Sequence, residues 1–310
     1  MNSYIKIARF DHWIKQLFVL PGCMIAIVLL KKDYNNNIIK DIVFSVLSTS
    51  FIASANYVIN EWLDAEFDKF HPTKCKRVLI NITFKKELIY LEYFIFIILG
   101  IIFALMVSKV VLIVEIVLLI MGILYNVKPF RLKEVPYVDV LVESINNALR
   151  FLIGWFAINT QFYPPISIVF GYWMAGGYLM SIKRLAEYRM INDKARASLY
   201  RRSFKFYNDY RLVAYSMFLG LMAVFFLGIF LVKYRIEFLI FIPFFIGLFS
   251  YYFEISYKED SAVQKPEKLY KEKGLVLYIV ALIVLFVTLL YVRIPILDIF
   301  LIFDLVPIIK

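Results

Sequence analysis

Apolar residues fall along this chain in blocks of membrane length, with polar residues gathered between them. A helix crosses a bilayer core with about 20 apolar residues. Nine blocks reach that length, near 16–31, 41–62, 88–107, 109–127, 138–158, 166–184, 212–232, 236–254 and 275–293. The pattern predicts nine helices, the seventh and eighth divided only by the polar break around Lys233–Glu237. The opening MNSYIKIARFDHWIKQ is amphipathic, carries Trp13 and reads as an interfacial entry. The closing RIPILDIFLIFDLVPIIK is short and broken by proline, so residues 294–310 are expected to lie along the membrane surface. No inserted soluble domain is visible, and residues 1–310 read as one all-α polytopic membrane domain, a bundle of about nine helices.

Composition agrees. The 310 residues are 62% hydrophobic and 19% charged, against roughly half apolar and a quarter charged in soluble domains. Cys23 and Cys75 are too few for a disulfide framework. If the nine blocks span, 26 of the 35 Lys and Arg lie on one side and 8 on the other, with Arg150 inside a span. Positive charge marks the cytoplasmic side. The N-terminus and the loops after spans 2, 4, 6 and 8 are therefore expected in the cytoplasm. That asymmetry accounts for most of the net charge of +11, so it implies no nucleic-acid partner.

Chemistry enters where polar residues repeat with helical spacing. Asn56, Asn60, Asp64 and Asp68 are four apart and form one stripe at the end of span 2, with Glu61 one position around. Carboxylates at membrane depth are costly and face a cavity, a partner or an ion. Their mutual repulsion is reversed by a cation, and hard oxygen donors suit Mg²⁺, which fills its shell with substrate phosphate oxygens. The alternative is a solvated, frayed helix end. His71-Pro72 then turns the chain.

Two further clusters are polar. After span 4, Tyr125, Lys128, Arg131 and Lys133 are donors suited to phosphate or lipid headgroups, in a loop kept short by Pro129 and Pro136. Within span 5, Asp139, Glu143, Asn146 or Asn147, and Arg150 fall on about one face. A Glu143–Arg150 pair that merely locks helix packing is the plain alternative. After span 6 come Lys183, Arg184, Glu187 and Tyr188, which serve as anion ligands or as a positive-inside anchor.

The Asn60–Asp64–Asp68 pattern at the end of the second span resembles the first aspartate-rich motif of the UbiA superfamily of intramembrane prenyltransferases. The resemblance covers nearly the whole chain. Glu61 stands where the family usually has Asp. The resemblance implies a helical bundle with Asn60, Glu61, Asp64 and Asp68 holding Mg²⁺, and through it a diphosphate leaving group. Where prenyl-diphosphate-using members carry a second aspartate-rich motif, this chain has Lys183, Arg184 and Glu187. That swap, with Asp68-x-x-His71-Pro72-x-Lys74 and His12-Trp13-Ile14-Lys15-Gln16, is similar to the decaprenyl-phosphate phosphoribosyltransferase branch.

What the branch implies is a multi-pass enzyme of a bacterial or archaeal inner membrane, with a membrane lipid as one substrate and a small phosphorylated donor as the other. A 5-phosphoribosyl group would move from phosphoribosyl diphosphate to a polyprenyl phosphate. Asp64, Asp68, Lys183 and Tyr125 are the expected catalytic residues. Lys15, Lys74, Lys128, Asp139, Glu143, Arg150, Arg184 and Glu187 are the expected substrate contacts. Prenyl transfer to an aromatic or lipid acceptor is the alternative within enzymes. A lipid or anion carrier is the alternative outside them, since intramembrane charge is expected there too.

Overall fold

The computed structural model describes residues 3–30, 37–76, 84–258, 263, 269 and 271–301. The apolar blocks form its helices. After the short α1 (Ser3–Ile7), a ten-residue 3₁₀ segment (Phe10–Val19) runs straight into α2 (Leu20–Leu30). Then come α3 (Ile38–Asp68), α4 (Lys86–Val107), α5 (Lys109–Asn126), α6 (Val138–Ile158) and α7 (Ile166–Ile191). A short α8 (Lys194–Tyr200) precedes α9 (Asp209–Tyr234), α10 (Phe241–Ile255) and α11 (Lys273–Tyr291). A 3₁₀ turn, Pro295–Leu301, follows. The rest of the expected surface tail, like Arg77, lies outside the described residues.

Among the described residues, seven helices are long and apolar enough to cross a membrane. The protein is an integral, multi-pass membrane protein with an all-helical fold. The two remaining long helices, α6 and α7, have 21 and 26 residues. They are the two that carry Asp139, Glu143, Arg150, Lys183, Arg184 and Glu187. α6 packs on α2, α3, α5 and α7, which places it centrally. α9 lies along α7, and α4 along α3.

Two glycines bring the N-terminal segment onto α6. A Cβ on Gly22 would stand 2.0 Å from the Phe151 carbonyl oxygen, and one on Gly154 would stand 2.0 Å from the Val19 carbonyl oxygen. The two backbones therefore touch at this crossing, as small residues allow between membrane helices. The contact sets the 3₁₀ segment beside the polar face of α6, where Arg150 Nε donates to Gln16 Oε1 at 2.7 Å. Trp13, expected at the interface, instead donates from Nε1 to Ser54 Oγ of α3 at 3.0 Å. Its ring lies against Phe10 and Phe51. The chain is thus already packed against the bundle well before residue 16.

At the charged end, α8 and the chain to Asn208 fold back over α6 and α7. Ile191, Ala197, Tyr200, Phe204, Tyr207 and Leu212 form a separate apolar cluster there. This cluster positions the segment from which part of the site is built.

Gly154→Ala is expected to destabilise the bundle by about 1–3 kcal/mol, because the added methyl meets backbone and not a side chain that can swing away. Thermal unfolding of the detergent-purified protein checks this. A melting point equal to wild type would show that the α2–α6 contact is not close.

Candidate active site

The stripe of α3 forms one wall of a cavity of about 460 Å³. Asn56, Asn60, Asp64 and Asp68 all line it, with Glu61 beside them. Four-residue steps drift by about 40° each on a helix with 3.6 residues per turn, so the stripe coils slightly and still presents every member to one space. Asn56 fixes the inner end by donating from Nδ2 to the Leu118 carbonyl at 3.2 Å. Gly122 leaves room for that amide, since a Cβ there would sit 2.1 Å from Asn56 Oδ1. The helix ends at Asp68, and His71 then organises the turn. Its Nδ1 accepts from the backbone N–H of Thr73 at 3.2 Å and of Lys74 at 3.1 Å. The turn aims Lys74 across the mouth, where Nζ donates to Glu187 Oε1 at 2.7 Å and to the Tyr200 hydroxyl.

The facing wall is basic and is held by acids. Arg184 is 1% exposed. Its Nη1 donates to Glu187 Oε2 at 2.8 Å, Nε to Asp139 Oδ2 at 3.4 Å, and Nη2 to Glu143 Oε2 and the Tyr125 hydroxyl. Tyr125 in turn donates to Glu143 Oε2 at 2.8 Å. The Glu143–Arg150 pair, the plain alternative for this face, does not form among the described residues. Glu143 faces Arg184 and Lys183, and Arg150 instead binds Gln16, the Asn146 carbonyl and Asn147. α7 lies on the Glu143 side of α6 and supplies the nearer cations, whereas Arg150 is two turns deeper.

Of the expected site residues, Lys15, Asn60, Glu61, Asp64, Lys74, Asp68, Tyr125, Glu143, Arg150, Lys183 and Arg184 line this one cavity. Asp139, Glu187 and Lys128 do not. Asp139 is fully buried and accepts from Ser203, Tyr207 and Arg184. Glu187 is buried between Lys74 and Arg184. Both anchor the basic wall from behind. Lys128 is on an exposed surface with Phe130, Glu134 and Arg202, because its loop turns outward there. Within the site, Glu61 is turned to Arg9 Nη1 at 2.7 Å.

Asp64 meets two cations of the loop after α5. Arg131 Nη2 lies 3.1 Å from its Oδ1, and Lys133 Nζ donates to the same oxygen and to Asn126 Oδ1. Burial pulls the Lys133 ammonium down to about 8, opposed by the Asp64 carboxylate and reinforced by Arg131.

Several lining residues escape a sequence reading. Beside the expected Lys15, Arg9, His12 and Phe18 also reach the cavity, because a 3₁₀ helix has three residues per turn and eclipses positions three apart. Tyr200 and Arg201 arrive from the folded-back segment. The three-residue spacing is the one signal that could have found the first group. Arg201 is adjacent to Arg202 in a basic loop and carries no distinguishing spacing.

Comparison with known proteins now bears on this arrangement. The model of the UbiA prenyltransferase family matches residues 19–271. The chain belongs to that family. It is therefore a membrane transferase, and the carrier alternative falls away. Among solved structures, a UbiA homolog from Archaeoglobus fulgidus bound to GPP and Mg²⁺ is 18% identical. It superposes with a TM-score of 0.68, covering 92% of this chain and 99% of that one. The same homolog bound to DMAPP and Mg²⁺ gives the same values. A digeranylgeranylglyceryl phosphate synthase is 17% identical with a TM-score of 0.59, over 91% of this chain and 98% of its own. No curated protein sequence matches. At these identities the structures share the UbiA fold with this chain, and the basic wall is read from its own residues.

Asp139→Asn is expected to cost about 3–5 kcal/mol, the range for removing one partner of a buried ion pair. It would also loosen the segment around Ser203 and Tyr207. Thermal unfolding and limited proteolysis between residues 192 and 208 would register both. Wild-type values in both would remove Asp139 from the anchoring role.

Proposed function

We propose that this UbiA-family protein transfers a 5-phosphoribosyl group from phosphoribosyl diphosphate to a polyprenyl phosphate and releases diphosphate. The observation that carries the reading is the charge of the cavity. Seven basic and four acidic side chains line it, an excess of three positive charges with His12 neutral. An allylic diphosphate with one Mg²⁺ brings about one negative charge. Phosphoribosyl diphosphate with one Mg²⁺ brings about three, because it also carries a 5-phosphate.

The donor set on α3 suits Mg²⁺. Asn60, Asp64 and Asp68 present an amide and two carboxylates to the cavity, and Mg²⁺ is held by one or two carboxylates with substrate phosphates completing its shell. These residues would hold it, and Glu61 would reach its waters on release from Arg9. When bound, the ion supplies neutralisation of charge on the departing diphosphate. Arg131 and Lys133, which pair with Asp64, are placed to reach the phosphate oxygens.

In the displacement, a lipid phosphate oxygen forms a bond to the anomeric carbon as the bond from that carbon to the diphosphate oxygen breaks. The attacking phosphate is already anionic, so no strong base is required. Arg131 and Lys133, on the Asp64 side of the site, offset the charge that develops on the diphosphate. Ile14, Phe18, Leu179 and Met180 make an apolar side to the cavity, against which the first isoprene units lie and water is excluded. Positioning of two anions, more than proton transfer, supplies the rate. The distribution of Lys and Arg supports a cytoplasmic orientation for this end of the bundle.

A second reading is transfer of an isoprenyl group from an allylic diphosphate, and what favours it is that the Archaeoglobus fulgidus structures hold GPP and DMAPP. Incubation of the purified protein with Mg²⁺, polyprenyl phosphate and labelled phosphoribosyl diphosphate separates the two. A labelled lipid is expected. No labelled lipid, together with product from an allylic diphosphate, would reverse the order of the readings. Asp64→Asn and Asp68→Asn are each expected to lower turnover by more than about 100-fold, while size-exclusion profiles stay those of the folded protein. Wild-type rates in either would remove the metal assignment.

A further inference from the structure

We infer that Arg201 binds the phosphate monoester in the cavity, the phosphate that is separate from the metal-held diphosphate. The inference rests on the phosphoribosyl reading above and assigns a residue that its motifs do not contain.

The side chains of the basic wall differ in what they have left to offer. Arg184 spends Nε, Nη1 and Nη2 on Asp139, Glu187, Glu143 and the Tyr125 hydroxyl. Four of its five N–H donors are thus used within the wall, so it acts first as a strut. Lys74 is likewise committed to Glu187 and Tyr200. Arg201 is different. It lines the cavity, its side chain is 11% exposed, and only Nη1 is engaged, by the Tyr125 hydroxyl at 3.1 Å and Asp139 Oδ2 at 3.5 Å. Nε and Nη2 make no hydrogen bond among the described residues. A guanidinium with one arm tied and the adjoining edge open is pre-organised for bidentate contact with a phosphate.

Its backbone setting explains why it faces inward. Helix α8 is started by Asp193, whose carboxylate accepts from the N–H of Ala195 and Arg196. It ends at Tyr200, and Arg201 is extended with φ −147° before a 3₁₀ turn begins at Arg202. On one side Tyr200 is held by Lys74 and by the His71 ring, 4.6 Å away edge-on. On the other, Ser203 and Tyr207 donate to Asp139 at 3.3 and 2.6 Å. The extended residue between these two anchors turns in, while Arg202 remains 69% exposed and pairs with Glu134 at 3.3 Å. Lys183, held among the described residues by Glu143 at 3.4 Å, is the second cation available on this wall. The α3 wall takes the metal end, so the wall of Lys183 and Arg201 is left for a second anion. The donor's 5-phosphate and the acceptor's lipid phosphate share that chemistry.

The test compares binding to wild type, Arg201→Gln and Arg201→Lys in detergent, by calorimetry. The probes are ribose 5-phosphate, farnesyl phosphate, and inorganic pyrophosphate with Mg²⁺. Arg201→Gln is expected to weaken one monoester by about tenfold or more, the scale of a lost charged hydrogen bond, and to leave Mg²⁺–pyrophosphate within about twofold. Arg201→Lys keeps the charge beside Asp139, so it preserves the fold and gives the same selective loss, smaller in size. Loss for ribose 5-phosphate places the donor there, and loss for farnesyl phosphate alone places the acceptor there. A wild type that ignores ribose 5-phosphate but loses farnesyl phosphate on substitution sinks the phosphoribosyl donor and leaves Arg201 standing. Unchanged monoester affinity in both variants overturns the proposal. So does an equal loss of pyrophosphate, or a wild type that binds neither monoester.

Discussion

Arg184 is a guanidinium held almost wholly out of water at the end of a membrane bundle, and the rest of the site depends on keeping it charged. A lone buried charge of this kind is not tolerated. Three carboxylates from two helices, Asp139 and Glu143 of α6 and Glu187 of α7, surround it. Those same acids are then used twice. Asp139 anchors the folded-back segment through Ser203 and Tyr207, Glu143 fixes Tyr125 and Lys183, and Glu187 receives Lys74 from beyond the end of α3. One buried cation thus ties the central helix, its neighbour, the HPTK turn and the segment carrying Arg201 into one rigid wall.

That wall gives one side of the cavity its basic lining. The α3 face offers amides and carboxylates, and the face opposite offers cations. Membrane energetics sharpen the arrangement, since each polar residue at depth must have a partner or a function. α6 and α7 are the long helices that fall outside the set apolar enough to span by composition. Their polarity is spent on the site and on its support. The close backbone contact at Gly22 and Gly154 lies toward the other end of α6 and brings the 3₁₀ segment with His12 and Lys15, and Arg9 just before it, up to the same cavity.

Asp64 links the α3 face to the loop after α5. In the structure its carboxylate faces Arg131 and Lys133. Two acids on one helix face repel, and nearby cations relieve that repulsion.

Much of this was legible in the order of residues. Hydrophobic blocks determined the helices, because lipid selects for length and apolarity. Four-residue spacing determined that Asn56, Asn60, Asp64 and Asp68 share a face, because helical geometry is local. Basic residues at 183 and 184 in place of a second acidic motif pointed to a different anion load. Which charges would pair was not determined there. Glu143 and Arg150 share a helix face, yet α7 and the 3₁₀ segment supply their actual partners from 40 and 134 residues away. Asp139 and Glu187 look like ligands in the sequence and serve as supports in the fold. Arg201 looks like one more cytoplasmic arginine and faces the cavity, while Lys128, in a motif-like position, faces out. A charge's role depends on which other charges surround it, and only the tertiary structure brings them within reach.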